Sequence, residues 1–181
     1  MAVLPIRMYP DPVLREPTAA VEVVDDDVRK LIADMGETMR AAPGIGLAAP
    51  QVGVQRRVFV YALSEEDEIV GVVNPEIVVR EGEVTDVEAC LSIPGVSADV
   101  TRAQRVVVRG LDANGDEIEI DATDLEARCM QHEIDHLDGV LYIDRLEDEQ
   151  RKEVLRFLRE RAMGNVPAVA PSAEVRQPMT G

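Results

Sequence analysis

The chain's only two histidines lie four residues apart, in the segment His132-Glu133-Ile134-Asp135-His136. On a helix, residues i and i+4 share one face, so both imidazoles can bind one metal ion. Glu133 lies beside them and can take a proton from metal-bound water, which is the chemistry of metal-dependent hydrolysis. Two surface histidines beside an acid are the alternative, which the absence of any other histidine in the chain disfavours.

The third ligand of such a site is open from the sequence, because catalytic sites of this kind usually have three protein ligands and water. Cys90, Cys129 or a carboxylate could supply it. Cys129 lies three residues before His132 on the same helix face, but seven residues, or about 10 Å of helix, from His136. Cys90 can approach from a separate element. We therefore favour Cys90 and expect Cys129 to pack as a small buried residue.

The segment Gly44-Ile45-Gly46-Leu47-Ala48-Ala49 superficially matches a dinucleotide-binding fingerprint. A true fingerprint follows a strand and opens a helix, whereas this one follows a predicted helix and Pro50 interrupts what comes next. We read it as a tight turn that lets a substrate approach the backbone closely, with Gln51 offering an amide donor. A simple turn without a ligand is the alternative.

The composition indicates one acidic globular domain. The 181 residues are 46% hydrophobic and carry a formal net charge of -16, which argues against general binding to nucleic acid or to anionic membranes. We see neither a secretory signal nor an apolar run near the ~18 residues of a membrane span. Two cysteines do not indicate a disulfide framework. We expect a cytoplasmic protein with no membrane association.

Helical spacing predicts three helices that must position these residues. The first starts at Asp25 and ends before Gly44. The second carries the histidines, and Thr123 and Glu126 form a Thr-x-x-Glu capping box at its start. It should end near Gly139, and a third helix should cover residues 147–163.

The strand signals complete the predicted fold. Asn114-Gly115 predicts a type I′ hairpin between the last two of the β-type runs. We predict an α+β fold, with antiparallel sheets packed around a central helix carrying H-E-x-x-H, plus a C-terminal helix. Residues 1–163 should form the catalytic domain and residues 164–181 a disordered tail. The β-type runs cover residues 57–63, 69–73, 77–79, 105–109 and 118–120.

Three separated motifs together resemble the signature motifs of the peptide deformylase family, in order and in spacing. Asp11-Pro12-Val13-Leu14-Arg15 also resembles the family's N-terminal arm. The resemblance covers about residues 4–160 and is similar to the bacterial type I form. The motifs are Gly44-Ile45-Gly46-Leu47-Ala48-Ala49-Pro50-Gln51, Glu88-Ala89-Cys90-Leu91-Ser92 and Gln131-His132-Glu133-Ile134-Asp135-His136.

The resemblance implies removal of the formyl group from the initiator methionine of nascent polypeptides, with release of formate. It implies one divalent metal ion, Fe²⁺ first, with Zn²⁺, Ni²⁺ or Co²⁺ as alternatives. Glu133 would be the general base and acid, while Gln51 and the backbone N–H of Leu91 would stabilise the oxyanion. The metal ligands would be Cys90, His132 and His136.

The expected substrate pocket combines the turn with one face of the second helix. Arg128 lies next to that face and is a candidate for the pocket's fringe. Ala89 stands where the family usually has glycine, and it would strain the segment if its φ were positive. The resemblance also suggests that Glu88 pairs with Arg102, against the alternative of two surface charges. The expected substrate-binding residues are Ile45, Gly46, Leu125 and Cys129.

The predicted C-terminal helix is basic on an acidic body. Residues 150–163 hold five basic and two acidic residues, so this helix could contact ribosomal RNA. A solvated helix with i,i+4 pairs is the alternative. We expect a monomer that acts on formyl-methionyl nascent peptides. The rival functions are a zinc endopeptidase with the same H-E-x-x-H chemistry, and a non-catalytic binding module with a closed, four-ligand structural metal site.

Overall fold

The computed structural model describes residues 2–165. Within that range the chain forms seven strands and three α-helices, with short 3-10 helices at Pro12–Arg15, Ala49–Val52 and Tyr142–Arg145. The helices are α1 (Asp26–Ala41), α2 (Asp124–Leu137) and α3 (Asp148–Ala162). The strands are β1 (Gly46–Ala48), β2 (Val58–Tyr61), β3 (Val70–Glu81), β4 (Val84–Cys90), β5 (Ile93–Arg102), β6 (Arg105–Leu111) and β7 (Glu117–Thr123).

The α+β prediction is confirmed by two antiparallel sheets. One has five strands in the order β1-β2-β3-β6-β7, and the other is the β4-β5 hairpin. Helix α2 contacts β1, β2, β6 and β7 of the larger sheet. Its inward residues Ala127, Met130, Ile134 and Leu137 belong to the same apolar cluster as Phe59 of β2. The sheet therefore holds α2, which carries both histidines, from one side.

Helix α1 begins as its sequence predicts. The Asp25 side chain accepts a hydrogen bond from the Val28 backbone N–H, and the acids at the start of the helix favour its positive end. The face carrying Ile32 and Met35 is buried in a cluster with β1 and β2. This packing anchors the turn at Pro43–Gly44, so that β1 starts at a fixed place.

The predicted runs 69–73 and 77–79 are one strand, β3, with an irregular register between Val73 and Glu76. Asn74 lies at this irregularity with φ of +51°, a conformation that asparagine adopts more readily than most residues. Its side-chain amide pairs with the backbone N–H and C=O of Val21 at 2.8 Å each. The polar interruption in the sequence therefore bends one strand instead of separating two.

The predicted type I′ turn at Asn114-Gly115 is wrong. Five residues, 112–116, connect β6 to β7, because Leu111 pairs with Glu117. Gly115 has the positive φ, +89°, but Asn114 does not share it. The Asp112 carboxylate accepts hydrogen bonds from the backbone N–H groups of Asn114 and Asp116, so an aspartate-centred loop replaces the two-residue turn.

The predicted capping box of α2 is wrong, although the helix starts where the box indicates. Thr123 is the N-cap residue but makes no side-chain capping bond. The Glu126 carboxylate instead accepts a hydrogen bond from the Tyr61 hydroxyl at 2.9 Å. The helix ends before Gly139, whose φ of +74° matches the predicted stop.

Helix α3 packs its apolar face on the β4-β5 side of the molecule. Leu158 is buried in a cluster with Tyr142 and Val96. None of the helices within residues 2–165 has the length and hydrophobicity needed to cross a bilayer. The boundary at residue 163 stays a prediction, and the expected disordered tail lies, apart from residues 164 and 165, outside the described part of the chain.

Candidate active site

A cleft of about 470 Å³ lies between the turn at residues 43–46, the β4-β5 hairpin and helix α2. The histidines lie at its inner end because α2 runs through the molecule with most of its length buried. His136 is only 1% exposed and Glu133 only 4%. The sheet on one side and the hairpin on the other exclude solvent from this part of the helix.

Cys90, His132 and His136 come together at the base of the cleft. One ligand atom from each lies within 4.8 Å of the others, and the Cys90 Sγ is 3.2 Å from the His136 Nε2. Ligand atoms in a tetrahedral site with bonds of about 2.0–2.3 Å are separated by about 3.5 Å. One sulfur and two imidazole nitrogens at this spacing fit a divalent transition-metal ion.

Cys129 lies outside this group, although it is on the same helix as both histidines. Its Sγ is 3.6 Å from the Ile45 carbonyl oxygen. Burial raises the pKa of the Cys129 thiol well above 9.0, so the protonated, non-ligating form is favoured. Among residues 2–165, the candidate metal group therefore has three ligands. A closed structural metal site would need a fourth protein ligand, and Cys129 does not supply it.

The Glu88 carboxylate orients His132. Glu88 Oε2 is 2.9 Å from the His132 Nδ1. Although burial opposes ionisation, hydrogen bonds with Arg102 and His132 hold the pKa of Glu88 well below its ordinary value. An ionised carboxylate only accepts hydrogen bonds, so Nδ1 carries the proton and Nε2 is left for a metal.

Arg102 and Arg128 together hold Glu88 in place. The Arg102 Nε and Nη2 donate to the two Glu88 oxygens at 2.7 and 2.9 Å, and the Arg128 Nη1 donates to Oε1 at 2.8 Å. Arg102 also pairs with Asp135 on α2 at 2.5 Å. All these side chains are buried, so the alternative of two surface charges for Glu88 and Arg102 is wrong.

Arg128 has a second contact set that its sequence position did not indicate. Its guanidinium donates to the carbonyl oxygens of Val100 and Val84 at 2.8 and 2.9 Å. Arg128 also lines the cleft. The residue therefore connects α2 to both strands of the hairpin, and is more than a fringe of the pocket. Its place four residues before His132, on the same inward face, is the one signal that points to this role.

Glu133 has the properties of a general base near neutral pH. Burial raises the pKa of its carboxyl to about 7, and its Oε2 has no hydrogen-bond partner in the protein. A group that exchanges protons in catalysis works best with a pKa near the operating pH. Burial also lowers the pKa of His136 well below 6.5, which favours the neutral imidazole that metal binding requires.

Gln51 and Leu91 are both neighbours of Cys90. The buried Gln51 amide accepts a hydrogen bond from the Ala48 N–H at 2.8 Å. Its Nε2 lies 3.6 Å from the Cys90 Sγ and 3.2 Å from the Ser92 Oγ. Leu91 follows Cys90 directly, and both Gln51 and Leu91 line the cleft. The amide donor and the Leu91 backbone are thus near the three candidate ligands.

The four residues expected to bind substrate all line the cleft. Gly46 lies deepest among them, since a Cβ at this position would overlap the Glu133 carboxylate and lie 2.9 Å from the Cys129 Sγ. The mouth of the cleft is apolar and exposed, which suits an unbranched apolar side chain. The other three expected residues are Ile45, Leu125 and Cys129. The exposed mouth is formed by Ile45 and Leu125 together with Val87.

Ala89 introduces no backbone strain. It pairs with Ser97 across the hairpin, and the only non-glycine residues with positive φ in the described part of the chain are Asn74 and Asp124. An L-residue with a β side chain is therefore accommodated next to Cys90. The register of the hairpin shifts between Ala89 and Cys90, which turns Cys90 toward the histidines.

Comparison with known proteins identifies the family. The model of the family described as "Polypeptide deformylase" matches residues 3–152. The chain belongs to this family. Peptide deformylases are metal-dependent hydrolases that remove the N-formyl group from nascent polypeptide chains.

Curated peptide deformylases and solved deformylase structures are similar to most of the chain. The enzyme of Acidothermus cellulolyticus is 52% identical over 161 residues, which cover 88% of each chain. A crystal structure from Legionella pneumophila has a TM-score of 0.83 at 41% identity and covers 92% of this chain and 100% of its own. The Ehrlichia chaffeensis deformylase in complex with actinonin has a TM-score of 0.84 at 40% identity, covering 89% and 98%.

Proposed function

We propose that this chain hydrolyses the formamide bond of N-terminal formyl-methionine and releases formate, with Glu133 as the general base. The observation that carries the proposal is the unpartnered Glu133 Oε2 beside a buried cluster of one thiol and two imidazoles. The apolar mouth of the cleft supplies the place for a methionine side chain.

Cys90, His132 and His136 are the residues that would hold the metal ion, and a thiol with two imidazoles suits iron, zinc, nickel and cobalt. A bound divalent cation polarises a carbonyl oxygen and lowers the pKa of coordinated water toward about 7. We propose Fe²⁺ as the ion, on the family's preference. Comparing turnover of the protein loaded anaerobically with Fe²⁺, Zn²⁺, Ni²⁺ or Co²⁺ tests this choice.

The remaining steps belong to the chain's own residues. Glu133 accepts a proton from the attacking water as the new C–O bond forms at the formyl carbon. It then passes that proton to the methionine nitrogen as the C–N bond breaks, so that formate and the free amine are released. The Gln51 Nε2 and the backbone N–H of Leu91 donate to the formyl oxygen as its negative charge develops. Loss of one such donor typically lowers turnover by about 10²–10³.

The direct test is formate release from formyl-Met-Ala-Ser by protein purified anaerobically with Fe²⁺. Glu133→Gln removes the proton acceptor while keeping the side chain's shape, and we expect turnover to fall by at least about 10²-fold. Glu126→Gln is the matched control on the same helix, because among residues 2–165 the Glu126 carboxylate bonds only to the Tyr61 hydroxyl. Full activity of Glu133→Gln would contradict its role.

The two rival functions make different predictions for the same protein. A zinc endopeptidase would cleave casein internally, whereas we expect formate release and no casein fragments. A structural metal site would tolerate Glu133→Gln without functional loss. The absence of Cys129 from the candidate metal group and the depth of the cleft both favour the hydrolase of small N-terminal groups.

We place the enzyme in the cytoplasm, as a monomer that meets nascent chains at the ribosome through α3. The charge distribution supports contact with ribosomal RNA. Helix α3 has exposed cations while the rest of the chain is acidic, and the phosphate backbone of RNA attracts a cluster of cations. The exposed cations are Arg151, Lys152, Arg156 and Arg159. Arg151 and Lys152 also pair with Asp144 and Glu149, which leaves Arg156 and Arg159 as the stronger candidates.

A further inference from the structure

The two walls of the cleft's mouth are held in different ways. Leu125 lies on one wall, in the first turn of α2, and Val87 lies on the other, in strand β4; both line the cleft and are about half exposed. The α2 wall is fixed because the helix packs its apolar face on the larger sheet. The β4-β5 hairpin pairs with no strand of that sheet, so the β4 wall needs another support.

Apolar packing anchors strand β5 and the Cys90 end of β4, but not the middle of β4. Val96 and Val100 of β5 are buried in the same cluster as Tyr142, and Cys90 belongs to this cluster too. Residues 85–87 of β4 are exposed instead. A stretch of edge strand with few buried contacts opens easily, so its position depends on the hydrogen bonds that it makes.

Arg128 supplies those hydrogen bonds from helix α2. Its guanidinium donates to the carbonyl oxygens of Val100 at 2.8 Å and Val84 at 2.9 Å, with a longer contact of 3.4 Å to that of Asp86. Within residues 2–165, no other hydrogen bond joins residues 84–87 to an element outside the hairpin. One side chain therefore ties the β4 wall to the helix that carries the opposite wall.

The bond between Arg128 and Glu88 is a shared one. Arg102 donates to both Glu88 oxygens, so it still holds Glu88 against His132 when the Arg128 bond to Oε1 is lost. The contact that Arg128 does not share is its hold on the β4 backbone. Loss of the guanidinium thus frees the wall that carries Val87 and leaves the support of His132 in place.

We propose that Arg128 is a positioning residue that fixes the β4 wall of the mouth and thereby sets the mouth's width for the first side chain of the formylated peptide. The inference rests on the proposed function and adds a structural origin for the preference for methionine. A guanidinium suits this task because it presents several donors in a rigid fork, whereas a lysine ammonium is a compact charge on a flexible stem. A wall held at several carbonyls admits an unbranched side chain and resists the displacement that a phenylalanine ring requires.

The test compares kcat/KM for formyl-Met-Ala-Ser and formyl-Phe-Ala-Ser in the unmodified chain, in Arg128→Met and in Arg128→Lys. We expect both variants to lower the methionine preference by about tenfold, which is the discrimination that one methylene in a packed pocket supplies. The change should lie in KM, with kcat for the methionine peptide unchanged, because only binding at the mouth is altered. Arg128→Lys keeps the charge, so its failure to restore the preference would assign the effect to the fork.

Two further measurements separate the positioning of the wall from a general structural role. Amide hydrogen exchange of residues 84–87 should accelerate in both variants, while exchange of residues 132–136 stays as in the unmodified chain. The affinity of the metal-free protein for Co²⁺ should not change, because Arg102 keeps Glu88 in place. Loss of a group that supports a metal-ligating histidine typically lowers metal affinity by about 10–100-fold. Such a loss with the methionine preference intact would overturn the inference.

Arg57→Met is the matched control. The Arg57 guanidinium also joins a backbone carbonyl, that of Pro75, to a carboxylate, that of Asp138 at the end of α2, but it does not line the cleft. We expect this variant to keep the full methionine preference. A loss of the preference in Arg57→Met as well would show that general loosening of the fold, and not the β4 wall, is responsible.

Thermal unfolding establishes that each variant is folded, and Arg128→Lys carries the test should Arg128→Met fail to fold. Equal kcat/KM for the two peptides in the unmodified chain, or a methionine preference that survives in the Arg128 variants, would overturn the inference. Absence of formate release from formyl-Met-Ala-Ser by the unmodified chain would instead overturn the proposed function.

Discussion

Gly46 is the residue at which the backbone passes closest to the reacting groups. Because a Cβ there would overlap the Glu133 carboxylate, Gly46→Ala must displace either Glu133 or strand β1. Displacement by about 1 Å can cost 10²-fold in rate, so we expect kcat/KM for formyl-Met-Ala-Ser to fall by about that factor. Steady-state kinetics with thermal unfolding as a folding check measures it, and near-normal activity would show that the glycine is only a turn residue.

Ala89, which lies two residues before Leu91, offers the opposite change, from alanine to glycine. Because Ala89 lies in a strand without positive φ, restoring the family's glycine relieves no strain. Glycine costs about 0.5–1 kcal/mol relative to alanine in such a position. We expect Ala89→Gly to lower the free energy of unfolding by about that amount, as measured by urea titration, and to leave kcat unchanged. A stabilised variant would indicate strain at Ala89.

At this scale the sequence predicts the reacting groups but not what supports them. Two histidines four residues apart need only a helix to become neighbours, so local spacing is sufficient. Glu88, Arg102 and Arg128 meet through contacts between residues 14 and 40 positions apart. No local pattern encodes such a contact. The resemblance to deformylases suggested the Glu88–Arg102 pair, whereas the position of Arg128 four residues before His132 was the one signal that it joins them.

Among the elements, helix α1 connects the N-terminal arm to the cleft. The Asp34 carboxylate accepts hydrogen bonds from Lys30 and from the Ala2 backbone N–H, and the bond with Lys30 is the main cause of its lowered pKa. A lowered pKa means that the ionised form stabilises the fold. This contribution is fully present above the ordinary pKa of about 3.8 and is lost as pH falls below it.

We therefore expect Asp34→Asn to destabilise the protein at pH 7, with the difference from the unmodified chain shrinking as the pH falls below about 3.8. Urea unfolding at several pH values measures the difference. Glu37→Gln, on the same helix and in none of the ion pairs among residues 2–165, is the control. A destabilisation that is constant across pH would show that packing, and not charge, makes the contribution of Asp34.

Whether an element could be predicted depends on whether its sequence signal lies within the element itself. All three helices are predicted, because apolar spacing and stop residues are encoded within each segment. Strands β1, β4 and β5 are not. Strand β1 is a three-residue segment defined by its partner, and β4 presents Thr85, Asp86 and Glu88 where a strand signal needs apolar alternation. Their strand conformation comes from pairing across the sheet, which a single sequence does not display.

For the whole molecule, the basic face of α3 is the feature with the clearest consequence. We expect Arg156→Glu/Arg159→Glu to weaken co-sedimentation with ribosomes, and the remaining binding to lose part of its salt dependence. Arg80→Glu, which reverses one exposed charge on β3, should have no such effect. Unchanged co-sedimentation of the α3 variant would indicate a helix that is only solvated. Truncation is unsuitable, because Leu158 contributes to a buried apolar cluster.

The depth of the cleft limits when, during synthesis of a protein, its formyl group can be removed. With His136 and Glu133 almost fully enclosed, the site admits a single extended strand and no folded surface. Ribosomes add about 5–20 residues per second, and domains fold as they emerge. A 100-residue domain thus leaves about 5–20 s before its N-terminus can be packed away. A formyl group that survives this interval on a chain whose first residues become buried is retained for the life of the protein.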